Sequence, residues 1–213
     1  MAIGSGCSFL VKDSSEPLPK REKRRITWLD LFEKKALAIS SVGIFVSFTY
    51  ASIMSFISIY AESLGLIKVA GFFFLVFAIG MLVVRPFTGR LFDSRGPNIV
   101  IIPSLIIYAI GMFALSYTTT TWMLLLAGGL IGMGYGTLLP CFQTLAIQST
   151  THRRSAYATA TFFTMYDTGI AVGSFALGIA VSYMGYANLY LAVGVFIVFI
   201  SIYYKVIMRQ ATS

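Results

Sequence analysis

Arg85 and Asp167 are the two charges that fall deep inside stretches otherwise made of apolar residues. If those stretches are membrane helices, an acid near the centre costs about 2.5–3.5 kcal/mol on insertion scales and faces a bundle interior or a water-filled path. Such a group suits taking up and releasing a proton, meeting a charged ligand, or holding a structural ion pair. Asp167 lies 12 residues beyond Ser155, roughly 18 Å along a helix rising 1.5 Å per residue. Arg85, six residues before Leu91, lies roughly 9 Å in by the same rise. The depths differ by about one long side chain, so a direct salt bridge between the two is one possible arrangement.

The other reactive side chains suggest no covalent chemistry. The single histidine, His152, stands beside Arg153 and Arg154 in a loop and reads as a solvated residue. Cys7 and Cys141 are far apart and without ligand neighbours, so neither a disulfide framework nor a metal site is expected. No His-Glu-x-x-His pair is present, and Gly173-Ser174-Phe175 lacks the Gly-x-Ser-Gly nucleophile of membrane proteases. The expectation is no catalytic residue, no metal and no cofactor. Gly-Ser-Gly-Cys around Cys7 follows no basic and apolar leader, so no signal peptide is expected.

The elements that hold Arg85 and Asp167 must be read from composition. Of 213 residues, 57% are hydrophobic and 11% charged, and the mean hydropathy is +0.83. A soluble domain carries roughly 25% charged residues, so the missing solvent is lipid. Residues 1–35 are polar and basic, with Trp28, Leu29, Leu31 and Phe32 suiting a short interfacial helix. Residues 36–61 carry no charge, more than the ~20 needed for one crossing. A second span covers about 69–91. From 96 to 151 there is no Asp, Glu, Lys or Arg; the hydroxyl-rich 116–121 divides that run into helices near 98–117 and 122–147. A fifth helix is expected over about 155–183, then a polar turn at 185–188, and a sixth near 189–207. A soluble helical protein would need polar faces at 3.6-residue spacing, which this run does not offer. The prediction is an all-α membrane protein with six crossings over 36–209 and a tail at 210–213.

Loop charges orient those crossings. Fourteen Lys and Arg fall in segments on the side of the two termini, and Lys68 alone falls on the other. By the positive-inside rule both termini are cytoplasmic. Half of the positive residues lie in the first 35 positions, next to a hydrophobic span. The charge of +8 therefore points to a lipid bilayer and not to nucleic acid. Gly128, Gly132 and Gly136 recur every four residues and form one smooth stripe for close helix packing.

The loop after the second span reads Arg85-Pro-Phe-Thr-Gly-Arg-Leu-Phe-Asp-Ser-Arg-Gly-Pro97. Gly89 permits close approach, Gly96 permits a tight turn, and Asp93 can cap a helix N-terminus. Arg90 and Arg95 can pair with acids or anionic headgroups. The pattern Gly89-x-Leu91-x-Asp93-x-x-Gly96 resembles the cytoplasmic signature loop of the major facilitator superfamily. It departs at Ser94 and at Pro97-Asn98, where basic residues are usual, as in the second copy of that loop. Arg85-Pro86, the Gly-rich fourth helix ending in Pro140, and Tyr166-Asp167-x-Gly169-x-x-x-Gly173 resemble the drug-efflux branches.

The resemblance covers about residues 28–209, yet that family has twelve helices in two halves. It implies that this chain is a C-terminal six-helix half, built of two inverted three-helix repeats at about 36–117 and 122–207, with 1–35 as the linker between halves. It implies transport of a small-molecule substrate by alternating access, with proton-coupled efflux as the expected form. It also implies a bacterial plasma-membrane location and a second half as partner, either a separate chain or a second copy. The first and fourth helices of a half line the cavity in that family, which puts Tyr50, Ser47, Ser55, Thr137 and Gln143 toward substrate. Isolated hydroxyls also bond their own helix backbone, so that reading stays open beside it. So does a truncated or split half without transport activity of its own, and, further off, an intramembrane enzyme.

Overall fold

The computed structural model describes residues 33–212, so the expected interfacial helix around Trp28 lies outside it. Among the described residues all regular structure is helical. A backbone surrounded by lipid must bond within its own segment, which a helix achieves. Four helices precede a longer one: α1 (Lys34–Ser63), α2 (Ala70–Arg95), α3 (Pro97–Ser116), α4 (Thr121–Gln148) and α5 (Ser155–Thr212). These five are long and apolar enough to cross a membrane.

The expected fifth and sixth helices thus run as one element of 58 residues, broken at Gly185 (φ +76°, ψ 167°). The expected four-residue turn at 185–188 shrinks to that one residue. The Asn188 side-chain amide donates to the Met184 carbonyl across the break (2.9 Å), so the chain resumes helix at once. Contacts with α1 show that the chain reverses there. Along the arm before Gly185, Phe162 lies against Gly43, Gly169 against Ile44, and Gly173 against Phe48. Along the arm after it, Tyr190 reaches Ser52, Phe196 meets Phe45, and Tyr203 meets Ser41. The first arm runs parallel to α1 and the second antiparallel.

Gly96 (φ +88°, ψ 167°) is the one residue between α2 and α3. Its backbone is open to glycine and strained for other residues, and Pro97 starts α3 at the position that proline favours. Arg90, Arg95, Arg153, Arg154 and Lys205 share one end of the bundle, called the basic end below. Thr120 caps α4 at the opposite end, accepting from the Met123 amide (3.4 Å).

Small residues set which helices meet. Gly128 of α4 lies on Phe73 of α2, Gly132 on the Phe77 backbone, and Gly136 on Met81. Each contact advances four residues on both helices, so α2 and α4 run parallel in step. On another face of α4, Gly134 abuts the Tyr108 backbone of α3. The second arm of α5 is tied to α3 by Tyr204 donating to Asn98 (2.9 Å) and Ser116 donating to the Ala187 carbonyl (2.8 Å). Helices that are apolar all round leave lipid through such tight van der Waals contact, since no water drives them together.

At the basic end Glu33 immediately precedes α1, and its amide donates to Thr161 Oγ1 (3.0 Å). Its buried carboxylate takes the Arg154 guanidinium at 2.6 Å, and Arg154 also lies over the Tyr157 ring. This clamp fixes the start of α1 to the start of α5. Burial is uneven across the bundle. The apolar stretches of α1, α3 and α4 are about half buried, and those of α2 and α5 much less.

Candidate functional site

Halfway along the bundle α1, α3, α4 and the first arm of α5 bring hydroxyl-bearing aromatics together. Tyr50 of α1 stacks on Tyr135 of α4 with centroids 4.0 Å apart and planes 11° apart. Phe77 of α2 flanks both rings, and Tyr108 of α3 leans on Tyr135 at 5.8 Å. The fully buried Tyr108 hydroxyl meets Thr49 Oγ1 at 3.2 Å. Tyr166 of α5 is buried and its hydroxyl has no hydrogen-bond partner among the described residues. Buried hydroxyls are normally satisfied, so the Tyr166 hydroxyl is an open polar position at this centre. Asp167 follows it on the helix and is exposed on the bundle surface.

The residues expected to line a cavity divide in two. Ser47 is buried, bonds the Ile44 carbonyl (3.0 Å) and faces Gly169. Thr137 is buried and bonds the Met133 carbonyl (3.1 Å). Both spend their hydroxyl on their own helix. Ser55 donates across to Ser174 of α5 (3.1 Å). Tyr50 joins the central aromatic cluster, and Gln143 lines a cleft.

That cleft, about 500 Å³, lies between α2 and α4 toward the basic end. Its walls include Arg85, Thr88, Asp93, Pro140, Gln143 and Thr144. The glycine contacts that hold α2 to α4 end at Met81 and Gly136. The same register places Pro86 level with Cys141, beside Pro140. Neither proline has an N–H for the carbonyl one turn back, so both helices are loosened at one level, and the cleft opens from there.

Arg85 and Asp167 are not paired. Among the described residues Arg154 pairs with Glu33, and neither Arg85 nor Asp167 takes part in an ion pair. Arg85 sits on α2 facing the α4 side of the cleft, while Asp167 is carried by α5 beside α1. Asp93 likewise makes no hydrogen bond among the described residues, so the expected cap is absent. The Gly96 amide is already taken by the Phe92 carbonyl (3.0 Å), and Pro97 has no N–H. Arg90 and Arg95 are exposed on the last turns of α2. Gly89 is open, with no atom near the place of a Cβ.

Tyr135, Tyr108 and Phe77 are the central residues that residue-by-residue reading passed over. The signal for Tyr135 was its place between Gly134 and Gly136, where the glycines clear both neighbouring helices and leave an aromatic as the only bulk. Nothing in their spacing marked Glu33 and Arg154 as partners.

Comparison with known proteins gives a consistent frame. The model of the Major Facilitator Superfamily matches residues 11–212. A multi-drug resistance efflux pump PmrA homolog of Lactococcus lactis is 26% identical over 167 residues, covering 76% of this chain and 41% of that protein. Multidrug resistance protein MdtG of Enterobacter lignolyticus is 23% identical over 211 residues, covering 95% and 50%. An uncharacterized MFS-type transporter of Methanocaldococcus jannaschii is 28% identical over 153 residues, covering 71% and 39%. The chain spans about half the length of the curated relatives it matches.

Proposed function

The chain belongs to the major facilitator superfamily, and on that premise we propose that it is one six-helix half of a small-molecule transporter. The two arms of α5 are the fifth and sixth crossings, and the bundle comprises two inverted three-helix repeats. The reversal at Gly185 supports this reading, as do the packing pairs. The α2–α4 contact has its counterpart in the contact between α1 and the first arm of α5, as inverted repeats require. The basic end is cytoplasmic by its charge, and the membrane is a bacterial plasma membrane. Similarity to proteins named for multidrug resistance favours efflux of varied apolar compounds.

The observation that carries the transport reading is Asp167. An acid exposed at mid-bundle, next to a central aromatic cluster, is unsuited to lipid and suited to a water-filled path between two halves. The α2 and α5 surfaces, least buried in this chain, are the faces that a second half covers. In that assembly Asp167 takes up and releases the coupling proton, and Tyr50 and Tyr135 form an aromatic wall beside the substrate path.

The test uses everted vesicles energised with a proton gradient and a lipophilic dye. Pumping only when the chain is produced with a second six-helix half supports the half-transporter. Pumping by the chain alone supports self-association. Absence of pumping in both overturns transport, and wild-type rates in Asp167→Asn overturn the coupling role.

A further inference from the structure

The α2–α4 cleft contains an arginine for which the bundle supplies no counter-charge. Arg85 lines a cavity of about 500 Å³, within the size range of small-molecule sites. A guanidinium at membrane depth is normally paired or bonded, yet among the described residues Arg85 has no ion pair and its side chain no hydrogen bond. The other polar walls narrow the choice of ligand. Thr88 donates its hydroxyl to the Val84 and Arg85 carbonyls (3.1 and 3.2 Å), and Thr144 donates to the Pro140 carbonyl (2.8 Å). Their protons are committed. The Gln143 amide is half-buried and makes no hydrogen bond among the described residues. Two uncommitted donor groups therefore face this space, Arg85 and Gln143. The one acid in the lining, Asp93, is eight residues further along α2, roughly 12 Å toward the basic end, and stands at the mouth. Phe92, Leu139 and Cys141 supply apolar wall between them.

We propose that this cleft binds an anionic headgroup, a phosphate or carboxylate carried on an apolar tail, with Arg85 as its principal partner and Gln143 as the second donor. A guanidinium presents a planar fork that matches two oxyanion oxygens at once. The tail lies along the apolar wall, and Asp93 at the mouth disfavours a second anion. The paired prolines give the site its place, since they end the glycine-tight contact where the donors begin. Arg85 is exposed on α2, a surface that the transport reading gives to a second half, so the proposal is made for the chain by itself and binding is measured on it alone.

Titration calorimetry of the purified chain in a neutral maltoside detergent tests it, with dodecyl phosphate as the probe and dodecyltrimethylammonium as the cationic control. The expected result is one dodecyl phosphate site per chain that the cation does not compete for. Arg85→Gln weakens it at least about tenfold, as loss of charge-assisted bonds requires. Gln143→Leu weakens it about threefold, and Asp93→Asn strengthens it by a similar factor. Opposite shifts on one helix are not what misfolding produces. Competition by phosphatidylglycerol in mixed micelles assigns the headgroup to a lipid. Binding without that competition assigns it to a soluble amphiphile. Equal affinity in Arg85→Gln, or equal competition by the cation, overturns the proposal.

Discussion

Gly96 and Gly185 share one backbone conformation, φ +88° and +76° with ψ 167° in both. Gly96 separates α2 from α3, two helices joined by no other residue. Gly185 does the same for the two arms of α5, which pack on α1 in opposite directions. Both conformations belong almost wholly to glycine, and another residue there costs about 1–3 kcal/mol. Gly185→Ala and Gly96→Ala are therefore expected to lower thermal stability by such amounts, while Gly71→Ala, inside α2 with open space around it, leaves it unchanged or raised. Melting followed by size-exclusion chromatography in detergent reads the difference.

A second expectation concerns close packing. A Cβ at Gly132 meets the Phe77 carbonyl of α2, with no flexible side chain to move aside. Overpacking of a tight interface costs about 1–3 kcal/mol, so Gly132→Ala reduces the melting temperature and the yield of folded protein. Gly129→Ala, whose nearest neighbour is a Val76 methyl at 3.4 Å, has a smaller effect. Equal effects of the two substitutions contradict the parallel α2–α4 contact.

The clamp at the basic end makes a third. Arg154→Gln leaves the buried Glu33 carboxylate without its cation. Arg154 is 44% exposed on its side chain, so water screens part of the loss, and a cost of roughly 1–3 kcal/mol is expected. Glu33→Gln together with Arg154→Gln recovers part of it, because no uncompensated charge remains. A double-mutant cycle of melting temperatures measures the coupling, and strict additivity contradicts the pairing.

Much of the fold is legible in the chain because lipid imposes a simple rule. Uncharged runs of helical length separated by polar breaks place α1, α3 and α4 within two residues of their limits, while α2 runs four residues past its expected end at 91, to Arg95. The break within α5 is less legible: Gly-Tyr-Ala-Asn reads as a four-residue turn, but Asn188 bonds back to Met184 and three of the four are helical. Tertiary partners were the least legible. Arg85 and Asp167 looked like candidates for one another from their depths alone, and depth carries no information on which side of the bundle each helix lies. Glu33 and Arg154, 121 residues apart, meet because α1 and the first arm of α5 start side by side, and no local pattern encodes that. Ser47 and Thr137, placed toward substrate by resemblance, bond their own helices, which is the ordinary fate of a hydroxyl in an apolar helix.

The central claim, a half-transporter of six crossings, depends on what happens at Gly185. Single cysteines at Asn188 and at Ser213, each in a background of Cys7→Ser and Cys141→Ser, can be labelled with a membrane-impermeant maleimide in intact cells. The account predicts labelling at position 188 from outside, and at position 213 only after the membrane is permeabilised. Labelling of both from the same side would contradict it.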